Sequence, residues 1–154
     1  MERKIIYLIN PIAGTLKKDK IRSLVERETA LRNIPYQVFS TNSTGNYELI
    51  RELILQEKYT DVVMLGGDGT VNQVTGFLRN TGVRFGVIPA GSGNGLARAA
   101  NIPTRLKSAL QIIFDGHAKP VDAFTVNGAY SCMLSGIGFD AQVAHNFAAK
   151  EKRG

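Results

Sequence analysis

Apolar residues run along this chain in strand-sized blocks, separated by stretches in which they recur every three or four positions. Lys4-Ile5-Ile6-Tyr7-Leu8-Ile9 shows no polar alternation after its first residue, which predicts a strand covered on both faces. Ile21, Leu24, Val25 and Leu31 then share one side of a helix expected from about residue 20 to residue 33, with Asp19 placed to cap it and Pro35 to end it. Tyr36 to Ser40 reads as a short strand, 41–45 as a loop, and Asn46 as the cap of a second helix whose Tyr47, Ile50, Leu53 and Ile54 form an apolar stripe. A place in the core explains that stripe without a cofactor. Strand Asp61 to Leu65, helix Thr70 to Arg79 and strand Arg84 to Ile88 come next. Two more helices are expected near 93–100 and 104–114, parted by Pro103, which disfavours helical backbone at Ile102.

This alternation of strand and helix predicts an α/β fold with a mainly parallel sheet flanked by helices. Beyond residue 120 the pattern changes. Val121 to Val126, Asn127-Gly128 and Ala129 to Leu134 predict an antiparallel hairpin near the C-terminal end, because both central residues of a type I′ turn need positive φ. The hairpin is expected to join the sheet, with a last helix beginning near Ala141 and any domain boundary around 120–135.

Composition narrows the classes without choosing among them. At 154 residues, 44% hydrophobic and 21% charged, the chain has the material for one compact domain and not for disorder. No apolar run reaches the ~20 residues of a membrane-spanning helix, and Met1-Glu2-Arg3-Lys4 lacks an apolar secretory segment, so a cytoplasmic location is expected. Cys132 is the single cysteine, which rules out an internal disulfide, and its strand-like neighbours predict a buried, inert thiol. A net charge of +6 invites nucleic acid, yet no aromatic and basic RNP-like segment or zinc spacing supports it. A solvated basic surface is the simpler reading. Peripheral contact with anionic lipid, worth about 1 kcal/mol per cation near the surface, ranks next. His117 and His145 are isolated and make a poor zinc site, and neither Ser92 nor Ser135 stands in a nucleophile elbow.

Glycine placement carries the chemistry. The strand ending at Leu65 runs into Gly66-Gly67-Asp68-Gly69-Thr70, and the one through Ile88 runs into Ala90-Gly91-Ser92-Gly93-Asn94-Gly95. A third strand, the first of the chain, ends in Asn10-Pro11-Ile12-Ala13-Gly14, followed by Thr15 and the basic pair Lys17-Lys18, which either faces phosphate or is a solvated helix entry. Glycines at strand ends let the backbone approach an anion, and the amides of the next helix favour negative charge. One such loop is only what any α/β fold needs; three loops of one kind, in a fold that binds ligands beyond the carboxyl ends of its strands, point to a phosphate site. A carboxylate at position 68 would repel polyphosphate on its own, so it is expected to face Mg²⁺, which takes one or two carboxylates with phosphate oxygens and water. Two familiar motifs are excluded. No glycine here precedes Lys as in a P-loop, and Gly67-Asp68-Gly69-Thr70-Val71-Asn72 puts Asn where a dinucleotide fingerprint needs its third glycine.

The order Asn10-Pro11-x-x-Gly14, GGDGT over 66–70 and GVIPAGSGNGLAR over 86–98 resembles the catalytic domain of diacylglycerol kinases and related lipid kinases. The likeness continues through Asn101-Ile102-Pro103, Val121-Asp122 and Gly138-Phe139-Asp140-Ala141. It implies a three-layer fold of the phosphofructokinase-like and NAD kinase-like kind, with an ATP-binding domain over 1–130 and, over 131–154, the passage into a second, β-rich domain. It also implies ATP, Mg²⁺ and phosphoryl transfer to a lipid hydroxyl, diacylglycerol-like or sphingoid and ceramide-like. Carried over by position, Asn10, Pro11, Ile12, Ala13, Gly14, Thr41, Gly66, Gly67, Asp68, Gly69, Thr70, Val71, Asn72, Gly91, Ser92, Gly93 and Asn94 form the nucleotide set. Asp68 is the catalytic, metal-linked acid, and Asp122 and Asp140 lie toward the network and acceptor side; for Asp140 a helix cap is the simpler role. Gly95 departs from the Asp that many bacterial members carry there. The family's proposed Glu base belongs to the second domain, so the isolated domain is expected to lack it. NAD kinase and a non-catalytic nucleotide sensor are the competing readings.

Overall fold

The structure, a computed structural model, describes residues 2–13 and 18–148. In chain order its elements are β1 (Ile5–Ile9), α1 (Lys18–Ala30), β2 (Tyr36–Ser40), α2 (Glu48–Glu57), β3 (Asp61–Gly66), α3 (Asp68–Leu78), β4 (Arg84–Pro89), α4 (Gly95–Ala99), α5 (Leu106–Asp115), β5 (Phe124–Val126), β6 (Ala129–Ser131) and α6 (Phe139–Ala148). β1 to β4 form one parallel sheet in the order β2-β1-β3-β4.

Pleating sorts the core into two layers. Ile6, Leu8, Val62, Met64 and Val87 face one side and meet Ile50 and Ile54 of α2 and Val71, Val74 and Leu78 of α3. Ile5, Tyr7, Ile9, Val63, Leu65 and Ile88 face the other and meet Ile21 and Val25 of α1 and Ala109, Leu110 and Ile113 of α5. That two-sided burial explains why the strands read as apolar blocks without alternation. Neighbouring strands β1 and β3 send their next helices to opposite faces, which opens a crevice at the carboxyl ends of the strands.

Local details obey turn and cap chemistry. Asn127 and Gly128 both have positive φ, 50° and 82°, as a type I′ turn requires. The hairpin does not join the main sheet as the sequence suggested: β5 and β6 form a sheet of their own, with strands of three residues. Tyr130 packs on α3 instead, in the space a side chain at Gly76 would fill, so the hairpin is held by helix contact and not by a strand edge. α1 begins at Lys18, which places Asp19 inside the first turn; α3 begins at Asp68, and α4 is limited to Gly95–Ala99. Tyr47 takes the N-cap position of α2, while the Asn46 Oδ1 accepts the Glu48 N–H at 2.9 Å. Leu31 lies past the end of α1 and is exposed, and Cys132 is half-buried where the sequence suggested a buried thiol. No helix among the described residues is long and apolar enough to cross a membrane.

The amino-terminal edge of the sheet is pinned by charge. Asp61, 4% exposed at the start of β3, accepts Arg3 Nε at 3.1 Å and Nη2 at 3.1 Å, Arg84 Nη2 at 2.9 Å and the Thr60 hydroxyl at 2.6 Å. Arg3 Nη1 donates on to the Phe114 carbonyl at 2.9 Å, closing the end of α5 onto the same edge. On the face below, the buried Thr29 hydroxyl donates to the Val25 carbonyl at 2.7 Å, so the Tyr7 hydroxyl, 2.8 Å away, is the donor to Thr29 Oγ1.

Both buried polar groups make stability testable. Asp61→Ala removes a buried carboxylate but leaves two arginines that can hydrate, with side-chain exposures of 19% and 44%. The cost is therefore about 2 kcal/mol, below the roughly 3–5 of a fully buried broken pair, measured by urea unfolding. Burial pushes the Tyr7 phenol up to about 12 from its ordinary 10.0. Because the folded value lies above the unfolded one, its contribution is complete below about pH 10 and lost as pH rises toward about 12. Stability should fall by about 2 kcal/mol from this group between about pH 9 and about pH 12, and Tyr7→Phe should remove that part of the slope in denaturant titrations.

Candidate functional site

Register brings the strand ends level. Leu65 lies beside Ile9, Ile9 beside Ser40, and Gly66 beside Pro89. Ladder-like bonds then run on into the loops: Asn10 N–H to the Leu65 carbonyl at 2.9 Å, Thr41 N–H to Ile9 at 3.0 Å and Ala90 N–H to Gly66 at 2.9 Å. The loops after β1, β2, β3 and β4 therefore occupy one rim.

The first loop is tied to the third. Asn10 Nδ2 donates to Thr70 Oγ1 at 2.8 Å, while its Oδ1 accepts the Ile12 N–H at 3.0 Å, so one amide side chain both turns its own loop and holds α3. Pro11 and Ile12 are exposed, Ala13 is half-buried, and Gly14 with Lys17 lies outside the described residues. Thr70 is 8% exposed. A β-carbon on Gly66 would lie 2.6 Å from the Thr70 Cβ, so only glycine lets α3 fold back this closely over the end of β3.

The third and fourth loops touch through backbone alone. A β-carbon on Gly91 would lie 2.6 Å from the Gly67 Cα, closer than side chains tolerate. Asn94 closes its own loop with both amide atoms, Oδ1 accepting the Gly91 N–H at 2.9 Å and Nδ2 donating to the Gly91 carbonyl at 2.6 Å. Its backbone is left-handed, φ 51°, which Asn tolerates better than most residues. Asp68, opening α3, reaches across to the start of α4: its oxygens accept Gly95 N–H at 2.9 Å and Leu96 N–H at 3.2 Å. Gly93 leaves room for that carboxylate, since a β-carbon there would stand 3.1 Å from Asp68 Oδ2.

The remaining candidates divide by what their side chains do. Gly69 is exposed with open space around it, and Ser92 and Gly93 are exposed on the same rim. Val71 is 2% exposed and points into the core, which leaves only its backbone for a ligand. Asn72 faces the hairpin, accepting the Cys132 N–H at 3.0 Å and donating to the Tyr130 carbonyl at 3.4 Å. Asp122 is exposed in the segment before β5, and Asp140 is exposed in the first turn of α6, against Gly136. Among the described residues no three His, Cys, Asp or Glu side chains gather as a metal cluster. Sequence reasoning missed Gln73, whose Oε1 accepts the Tyr47 hydroxyl at 2.9 Å and whose amide fills the space beside Gly45, tying the Thr41 loop to α3. The signal was Gly45 itself, at φ +70°.

Together these features define a parallel α/β domain whose strand-end loops gather on one rim at a switch in helix direction, the place where such folds offer a ligand site. The profile of the diacylglycerol kinase catalytic domain matches residues 4–126, and the chain belongs to that family. It is 31% identical over 156 aligned positions to a diacylglycerol kinase from Staphylococcus aureus (strain bovine RF122 / ET3-1), covering 99% of this chain and 49% of the relative. A diacylglycerol kinase from S. aureus strain JH9 is 30% identical over the same share. The chain thus spans about half the length of the curated relatives it matches. A crystal structure of a diacylglycerol kinase from Bacillus anthracis str. Sterne shares the fold at a TM-score of 0.70, with 24% identity over 83% of this chain and 45% of that one.

The close approach of Gly67 and Gly91 can be probed directly. Gly91→Ala forces a backbone displacement and should cost about 1–3 kcal/mol, with amide exchange in 66–70 and 91–96 rising before exchange in the strands. Hydrogen exchange read by mass spectrometry would register it.

Proposed function

We propose that the chain is the nucleotide-binding domain of an ATP-dependent lipid kinase that transfers the γ-phosphoryl group to a lipid hydroxyl. The observation that carries this reading is the convergence of the Asn10, Gly66–Thr70 and Gly91–Asn94 loops on one rim, with the last two in backbone contact. Phosphoryl transfer asks the protein mainly to position groups and neutralise charge, and such loops suit that task. Amides of 66–70 and 91–93 hold the phosphates; Asn10, Thr41, Thr70 and Asn94 hold the loops in place, with backbone of Pro11 to Ala13, Val71 and Asn72 alongside. Gly14 completes the first loop in the family pattern.

Asp68 fits a divalent cation by its chemistry. Each of its oxygens accepts one amide and keeps a further lone pair, and Mg²⁺ takes one carboxylate with phosphate oxygens and water. When bound, that ion supplies countercharge to the phosphates. The chain's own share is the fixed direction of the carboxylate, set by the start of α4.

The likeness to diacylglycerol kinases favours diacylglycerol as acceptor, and the +6 charge suits a peripheral visit to an anionic membrane. Asp122 and Asp140 sit toward the acceptor side in this reading. NAD phosphorylation and nucleotide sensing without transfer draw no support from the family match.

The test uses the longer protein that contains this chain, with labelled ATP and diacylglycerol, a sphingoid base, ceramide or NAD offered separately. Transfer to a lipid and not to NAD is expected. Asp68→Asn, which keeps an acceptor for α4 but loses the charge, should lower turnover at least a hundredfold, and wild-type turnover in that variant rejects the metal-linked role.

A further inference from the structure

Asn72 lies one helical turn from Asp68, and its side chain is spent on the hairpin. Its two amide atoms bond the Cys132 N–H and the Tyr130 carbonyl, so it reads the backbone of one residue within β6 and of the first residue past its end. Three further contacts line up along the same side of α3. The Thr75 hydroxyl lies 3.4 Å from Cys132 Sγ, Gly76 leaves the space that the Tyr130 ring enters, and the Arg79 guanidinium stands 5.0 Å over that ring. Positions 68, 72, 75, 76 and 79 share one helix face, so the face that begins at the phosphate rim ends as the seat of the hairpin.

Bonds to backbone atoms fix where the chain goes beyond residue 132. Tyr130 and Cys132 are held in register against α3, and the chain is released one turn from Asp68. From there it carries the exposed apolar residues Leu134, Ile137 and Phe139, at 102%, 93% and 82% exposure.

We propose that Asn72 and Gly76 are positioning residues for the acceptor: they set the hairpin on α3 and thereby place the segment after Cys132 beside the phosphoryl-transfer rim, and Asn72 does not bind nucleotide through its side chain. The inference rests on the kinase reading and refines it. It assigns two residues of the GGDGTxN helix to the acceptor side, where motif order alone put Asn72 with the nucleotide.

The experiment uses the longer protein, with a fluorescent ATP analogue for equilibrium binding and a short-chain diacylglycerol in mixed micelles for kinetics. Asn72→Ala and Gly76→Val should each leave analogue affinity within about twofold of wild type while raising the acceptor KM at least fivefold. Asn72→Asp, which keeps an acceptor for the Cys132 N–H, should recover part of that loss. A tenfold loss of analogue affinity in Asn72→Ala, with Gly76→Val unaffected, makes Asn72 a nucleotide ligand and overturns the proposal. So does a fall in kcat alone with an unchanged acceptor KM, the mark of a smaller folded fraction. If the wild type itself neither binds the analogue nor transfers phosphate, the kinase reading fails first and takes this inference with it.

Discussion

Two glycines in backbone contact govern this molecule. With Gly91 so close to the Gly67 Cα that no β-carbon fits between them, the loops after β3 and β4 act as one surface. Asp68 depends on that approach, because its carboxylate can reach the first amides of α4 only when the loops lie this near. Asn94 depends on it too, since the loop it closes is the one pressed against Gly67. A larger residue at either glycine would separate two strand ends that the sheet holds adjacent, and strain would concentrate at the rim. Cohesion at the rim therefore comes from backbone proximity and short polar bonds, with little apolar burial of its own.

The opposite edge is built on another principle. There a buried carboxylate collects two guanidinium groups and a hydroxyl, and one arginine extends the network to the end of α5. Long charged side chains suit an edge that must be clamped across several elements. They would be poor material at the rim, where two loops meet through backbone alone and bulky side chains would force them apart. Sheet and helices between the edges form two conventional apolar layers, and these set the strand ends level so that the glycine loops can meet. The charged clamp and the two apolar layers thus lie away from the glycine rim.

Much of this was legible in the sequence. The apolar blocks marked β1, β3 and β4 because strands covered on both faces need no polar alternation, and the Tyr47, Ile50, Leu53, Ile54 stripe marked the buried side of α2. The glycine loops and the Asn10 start were legible because tight strand-to-helix turns and close loop contacts demand those residue types. What escaped was pairing at a distance. Nothing local tells that Asn72 turns to Cys132, that Tyr130 lies against Gly76, or that Gln73 joins Tyr47, since each partner is equally at home on a solvated surface. The hairpin was readable from Asn127-Gly128, yet its attachment was not, because turn chemistry fixes the pairing of two strands and says nothing of the surface on which they rest.

Gly95 shows how a departure from a family pattern can be read physically. A β-carbon there would stand 3.8 Å from both oxygens of Asp68, so an acidic side chain in its place would set a second carboxylate against the first. Two such groups repel unless a cation lies between them, and the repulsion would act on the very carboxylate that orders α4. With glycine, Asp68 keeps both amide bonds to the start of α4 and meets no carboxylate from position 95. Glycine at this position thus leaves the contact between Asp68 and α4 undisturbed, so the direction of that carboxylate is set by the two amides it accepts and not by repulsion from a neighbour.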